Sequence, residues 1–211
     1  MNSIVRKFSA PALAVAALFA LAAPAQAITV YSLNVTSAPA MGLGPYGTVS
    51  LTQNGANEVD IEVALAAGFG FVNTGGPHTS FAFNLDVSGI SINVTTPLVP
   101  SFNALAPATA TPFGNFSNGL NLDAQNGGAG AYYGLLDFQV TRAGGISLAD
   151  FIANDLGYLF AADVIAADGI TTGSVASNQP LVPGIPEPET YALMLAGLGV
   201  IGFMARRRRA D

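Results

Sequence analysis

The sequence predicts a mainly β chain: an antiparallel two-layer β-sandwich with one short helix, flanked by an N-terminal signal helix and a C-terminal transmembrane helix. Three observations predict it. Apolar and polar residues alternate with period two through much of Ile28 to Pro183, with Gly, Pro and Asn turn signals between the runs. An uncharged apolar stretch lies near each end, bordered by basic residues. Cysteine is absent, so packing and not disulfides must hold the fold.

Taken in order, Arg6 and Lys7 precede an apolar run from Ala10 to Ala23, followed by Pro24-Ala25-Gln26-Ala27. That is a basic region, a hydrophobic region too short for a comfortable span, and an Ala-x-Ala site for signal peptidase. The small side chains of Ala25 and Ala27 suit the peptidase, and Pro24 breaks the preceding helix. Cleavage is expected after Ala27, so residues 1–27 are a signal peptide and 28–183 the passenger domain.

Within the passenger, Tyr31, Leu33 and Val35 alternate with Ser32, Asn34 and Thr36, and Val49 and Leu51 with Thr48, Ser50 and Thr52. Val59, Ile61 and Val63 alternate with Glu58, Asp60 and Glu62, and Leu136, Phe138 and Val140 with Asp137, Gln139 and Thr141. Phe81, Phe83 and Leu85, then Ile90, Ile92 and Val94, extend the pattern. Strands with one apolar face and short turns predict a two-layer antiparallel packing. Residues 96–131 are turn-rich, with one strand expected around Phe116 to Leu122 and a mobile loop at Gly127-Gly128-Ala129-Gly130. The capping-box pattern Ser147-Leu148-Ala149-Asp150 predicts a short helix over 148–155. Tyr158 to Ile165 reads as a buried strand and Ile170 to Val175 as the last.

The segment 184–211 reads as a separate tail. Pro183, Pro186 and Pro188 keep the chain extended, and Thr190 to Ala205 are 16 residues without a charge. As a helix that stretch is about 24 Å long, short against a hydrocarbon core of about 30 Å. Snorkelling by Arg206, Arg207, Arg208 and Arg209 extends its reach, and the positive-inside rule keeps this basic stop-transfer end cytoplasmic.

Charge narrows the function classes. Ile28 to Pro183 carries ten acidic residues against Arg142 alone, a net −9. Such a domain cannot neutralise phosphates, so nucleic acid is not an expected partner, and anionic lipid headgroups repel it. His78 is the single histidine. Any Ser-His-Asp reading must use it, yet Gly75-Gly76-Pro77-His78 reads as a turn and there is no nucleophile elbow. No zinc motif occurs. Glu58, Asp60 and Glu62 share one strand face: a solvated face that discourages edge pairing, with calcium as the alternative occupant and a glycosidase pair the remote one. Asn121 to Gly127 departs from a calcium loop, because Tyr132 stands where a bidentate Glu is needed. No cofactor, no metal and no catalytic residue is expected, and the protein is read as not an enzyme.

Pro186-Glu187-Pro188, an apolar helix rich in Leu, Ala and Gly, and the run Arg206 to Arg209 together resemble the PEP-CTERM sorting domain, a tail also labelled an ice-binding protein C-terminal domain. The resemblance covers about the last 27 residues. It implies a Gram-negative bacterium, a sorting motif at Pro186, Glu187 and Pro188, transient residence in the inner membrane, and processing by an exosortase. It further implies association with exopolysaccharide and extracellular matrix. The passenger resembles domains ahead of other such tails through Phe81-Ala82-Phe83-Asn84-Leu85, Pro112-Phe113-Gly114-Asn115-Phe116 and Gly157 to Asp163. The combined reading is an exported cell-surface or matrix protein, structural or adhesive in role. An exopolysaccharide-binding module is one alternative, with Tyr46, Tyr132 and Tyr133 as its aromatic platform. A secreted hydrolase is another.

Overall fold

The alternation at Glu58 to Leu65 has a direct structural consequence: β-branched residues face one way and carboxylates the other, as the pleat requires. The computed structural model describes residues 27–123, 127–177 and 197–198. Strands β1 (Ile28–Leu33), β3 (Gly47–Gln53), β4 (Glu58–Leu65), β12 (Leu136–Thr141) and β7 (Ser91–Thr96) form one antiparallel sheet in the order β1-β3-β4-β12-β7. A second antiparallel sheet runs β2 (Val35–Thr36), β14 (Thr172–Ser177), β13 (Phe160–Ile165), β6 (Phe81–Phe83), β11 (Asn118–Leu122) and β8 (Phe102–Leu105). Beside β6, β5 (Gly70–Phe71) also pairs with β13. A small ribbon pairs β9 (Ala108–Thr109) with β10 (Asn115–Phe116).

The two larger sheets meet through one aromatic-rich core. Tyr31 of the first sheet contacts Phe160 of the second edge-on at 5.0 Å. Phe138 of the first packs between Phe81 and Phe83 of the second, at 5.8 and 5.6 Å. Val49, Leu51, Val59, Ile61, Val63, Leu136 and Val140 complete the first sheet's buried face. These contacts are worth more than their buried area alone, because offset and edge-on ring pairs add favourable quadrupole terms.

Strand β13 is buried along its whole length, which explains why its sequence reads as an apolar run broken only by Asp163 and not as alternation. Phe160, Ala162 and Val164 face the main core, while Ala161 packs on the other side with Phe113, Phe116, Ala108 and Ala110. The ribbon β9–β10 therefore covers part of the second sheet's outer face. Gly119 makes this approach possible: a Cβ there would lie 2.7 Å from Ala108 Cβ and 2.9 Å from the Phe81 carbonyl oxygen.

Several expectations need correction. Residues 96–131 hold β8, β9, β10 and β11, not a single strand; prolines at 100, 107 and 112 cut the pairing into pieces too short to show a period. The helix expected over 148–155 is a 3₁₀ turn of only Leu148–Asp150. Its capping residues do interact, Ser147 N donating to Asp150 Oδ2 at 2.7 Å. The turn stops there because Phe151 leaves it to bridge to Leu85 and stack on Phe83 at 6.1 Å. Gly127–Gly130, expected as a mobile loop, holds another 3₁₀ turn. Among the described residues no helix is long and apolar enough to cross a membrane. The expected signal helix and transmembrane helix lie outside those residues.

Candidate functional site

The outer face of the first sheet is polar by the logic of the pleat. Glu58, Asp60 and Glu62 project from β4, opposite Thr141, Gln139 and Asp137 of β12. Gln139 Nε2 donates to Glu58 Oε1 at 3.1 Å and to Asp60 Oδ1 at 3.0 Å, and Asn54 Nδ2 donates to Glu58 Oε1 at 2.5 Å. Amide donors thus satisfy oxygens of Glu58 and Asp60. Among the described residues no group of three or more His, Asp or Glu side chains is arranged to hold a metal ion. Glu62 faces Asp137 instead, and the alternation pattern gave no sign of that cross-strand pair. Asp137 Oδ1 is buried without a hydrogen-bond partner among the described residues. Burial first and the Glu62 charge second raise its carboxyl above the ordinary range, against a lowering hydrogen bond from Thr96.

A second site lies on the outer face of the second sheet, beside the ribbon. Between β5 and β6 the chain leaves the sheet and returns: Val72 N donates to the Asp163 carbonyl at 3.0 Å, and Asp163 N to the Ser80 carbonyl at 3.2 Å. The excursion is fixed by buried polar groups. Asn73 Nδ2 donates to the Leu122 carbonyl at 2.8 Å, Ser80 Oγ to the Val72 carbonyl at 2.7 Å, and Gly75 N to Asn73 Oδ1 at 3.1 Å. These bonds hold Thr74 over Asp163, where its N and Oγ1 donate to Oδ2 at 3.0 and 2.5 Å.

Asp163 is 2% exposed and stands opposite Ser174 in the β13–β14 ladder. Burial pushes its carboxyl up, partly offset by the Thr74 bonds and by the nearby His78. His78 Nδ1 lies 3.3 Å from Ser174 Oγ, and Ser174 N donates to Ser37 Oγ at 2.9 Å. Ser37, Ala38, Thr74, His78, Asp163, Thr172, Gly173 and Ser174 together line a cavity of about 480 Å³. Gly173 is required here, since a Cβ would lie 2.7 Å from Ala38 Cβ.

The site thus assembles a serine, a histidine and an aspartate that lie far apart in sequence. The arrangement is not that of a nucleophile. Among the described residues the three are not linked as a triad, because Asp163 Oδ2 accepts from Thr74 and not from His78. His78, expected in a simple turn, bridges to Ala110 and closes one wall of the cavity. The one legible signal for this site was a charge inside an apolar strand, Asp163 between Ala162 and Val164.

The aromatic platform does not form. Tyr46 is 2% exposed, and its hydroxyl donates to the Gly42 carbonyl at 2.6 Å. Tyr132 packs against Phe71 and Phe102. Only Tyr133, 58% exposed, faces solvent. Of the targeting residues, Ala27 directly precedes β1 and its carbonyl accepts from Gln53 N at 2.9 Å. Ala25, Pro186, Glu187, Pro188 and Arg206 to Arg209 lie outside the described residues.

No curated protein and no solved structure matches the chain. One family does: residues 184–209 match the PEP-CTERM protein-sorting motif. That motif implies export, membrane-associated processing by an exosortase, and delivery to the cell envelope or surface. Residues 184–209 thus carry a PEP-CTERM protein-sorting motif.

Proposed function

We propose that this chain is a precursor trimmed at both ends, by signal peptidase after Ala27 and by an exosortase near Pro186-Glu187-Pro188, and that its product is a β-sandwich displayed at the surface or in the extracellular matrix. Its role there is structural or adhesive, not enzymatic. The observation that carries the reading is the sorting motif at residues 184–209. The physical properties of the tail support it. Prolines keep the recognition segment extended, the 16 uncharged residues from Thr190 to Ala205 hold it at the outer face of the inner membrane, and four arginines stop further translocation. The buried ring of Tyr46 gives the saccharide-platform reading no support.

The test replaces Pro186, Glu187 and Pro188 with alanine in cells that express an exosortase. Helix then extends into the recognition segment, and the precursor accumulates in the inner membrane with its tail intact. Fractionation with a tail-specific antibody reads the result. A full-length tail on the mature wild-type protein would refute the sorting reading and leave a plain membrane anchor.

A further inference from the structure

Among the described residues Asp163 is the only charged side chain that the fold buries. Both Thr74 hydrogen bonds fall on Oδ2, so one oxygen of a desolvated carboxylate has no protein donor among the described residues. A buried charge is costly unless it is compensated. Arg142, the only Arg or Lys between Ile28 and Pro183, is engaged elsewhere, its Nε and Nη1 each donating at 2.9 Å to the carbonyls of Ser88 and Gly145. His78, near enough to lower the pKa of the Asp163 carboxyl, has its Nδ1 3.3 Å from Ser174 Oγ. The carboxylate instead lines a cavity of about 480 Å³, within the size range of small-molecule sites. Among the described residues no third acidic or imidazole ligand joins Asp163 and His78, so a compact metal ion lacks a donor set here. The rest of the lining is hydroxyl: Ser37 and Thr172 on the exposed rim, with Ser174 beneath. Ser37 Oγ already accepts from Ser174 N, which leaves its hydroxyl hydrogen free to donate.

We propose that this pocket binds a small hydroxylated primary amine of the amino-sugar class. Its ammonium sits on Asp163, and its hydroxyls meet Ser37, Thr172 and the His78 imidazole. The net −9 of the surrounding domain draws such a cation inward. This assignment is independent of the sorting reading, since every residue it uses lies between Ser37 and Ser174.

The test uses the full-length chain in mild detergent, with glucosamine, glucose and methylammonium as probes. His78 is the sole histidine of the chain, so its imidazole proton resonances report the pocket without assignment. Glucosamine should shift them saturably, with half-saturation in the millimolar range. Glucose should not shift them, and methylammonium should bind about tenfold more weakly or worse. Asp163→Asn should abolish the shift. Thr172→Lys places a competing ammonium at the exposed rim and should weaken glucosamine about tenfold or more; it decides the matter should Asp163→Asn not fold. Four results would each overturn the proposal: no saturable shift with glucosamine, an equal shift with glucose, equal affinity for methylammonium, or wild-type binding by a folded variant.

Discussion

Replacing Ile61 by aspartate tests the inter-sheet packing at its centre. Ile61 is 2% exposed, stands between Leu51 of β3 and Phe138 of β12 in the ladder, and faces the second sheet. Removing its apolar side chain forfeits about 1.5–3 kcal/mol of burial. The incoming carboxyl must be protonated or left without a partner, at a further cost of about 1–3 kcal/mol. The loss is therefore about 2.5–6 kcal/mol, and for a domain of this size each kcal/mol lowers Tm by about 2–4 °C. Asp60→Ser is the control one residue away on the opposite face. It removes one acceptor of Gln139 Nε2, which keeps Glu58 at 3.1 Å, so stability changes by about 0.5 kcal/mol or less. Thermal melts of the full-length chain in mild detergent, followed by circular dichroism, should show Ile61→Asp lower by on the order of 10 °C and Asp60→Ser near wild type. Equal melting of the two variants would mean that the faces of β4 are assigned wrongly.

Two further outcomes follow from close contacts and from charge. Gly119→Val should destabilise by about 1–3 kcal/mol, because its side chain meets Ala108, Thr79 and the Phe81 carbonyl within 3 Å; limited proteolysis should then cut faster within residues 106–117. Asp137→Asn should stabilise the protein at neutral pH, because the native carboxyl is raised by burial and by Glu62. The raised native pKa means that the folded state holds its proton longer than the unfolded state, so wild-type stability falls as pH rises from about 4. The variant's advantage must therefore grow from pH 4 to 7, and a pH-independent difference in Tm would contradict the cause assigned.

The sequence shows what is periodic and hides what is assembled from distant pieces. Strands β3, β4 and β12 are legible because each buries one face, leaving alternation as the trace. Strand β13 is legible only as an apolar run, since its second face lies under the ribbon, and nothing local announces the ribbon itself. The capping box at Ser147 marked a real turn, yet capping cannot fix the length of a helix; tertiary pairing of Phe151 with Leu85 ended it. The pocket was the least legible part. His78, Asp163 and Ser174 meet only because the chain departs from the sheet after Val72 and returns at Ser80, a path set by side-chain hydrogen bonds that have no period. Tyr46 shows the converse error: an aromatic beside glycine and proline reads as exposed, but it fills the core and places its hydroxyl on a backbone carbonyl.

The positions of the sheet boundaries bear on how such a precursor tolerates trimming. On the C-terminal side, β14 ends at Ser177, where Leu159 N donates to the Ser177 carbonyl at 2.8 Å. The sorting motif begins at residue 184, so a cut within it removes no hydrogen bond of the described sheets. On the N-terminal side, β1 begins at Ile28, and cleavage after Ala27 would disturb one bond, Gln53 N to the Ala27 carbonyl. A single backbone bond at a strand end is worth about 0.5–1.5 kcal/mol at most, small against the inter-sheet aromatic contacts. The core that supplies stability is closed by residues 31 to 175, inside the proposed cut after Ala27 and the sorting motif at 184–209. Folding stability and sorting thus reside in different parts of the chain, and a substitution in the tail should change where the protein goes without changing how firmly its domain is folded.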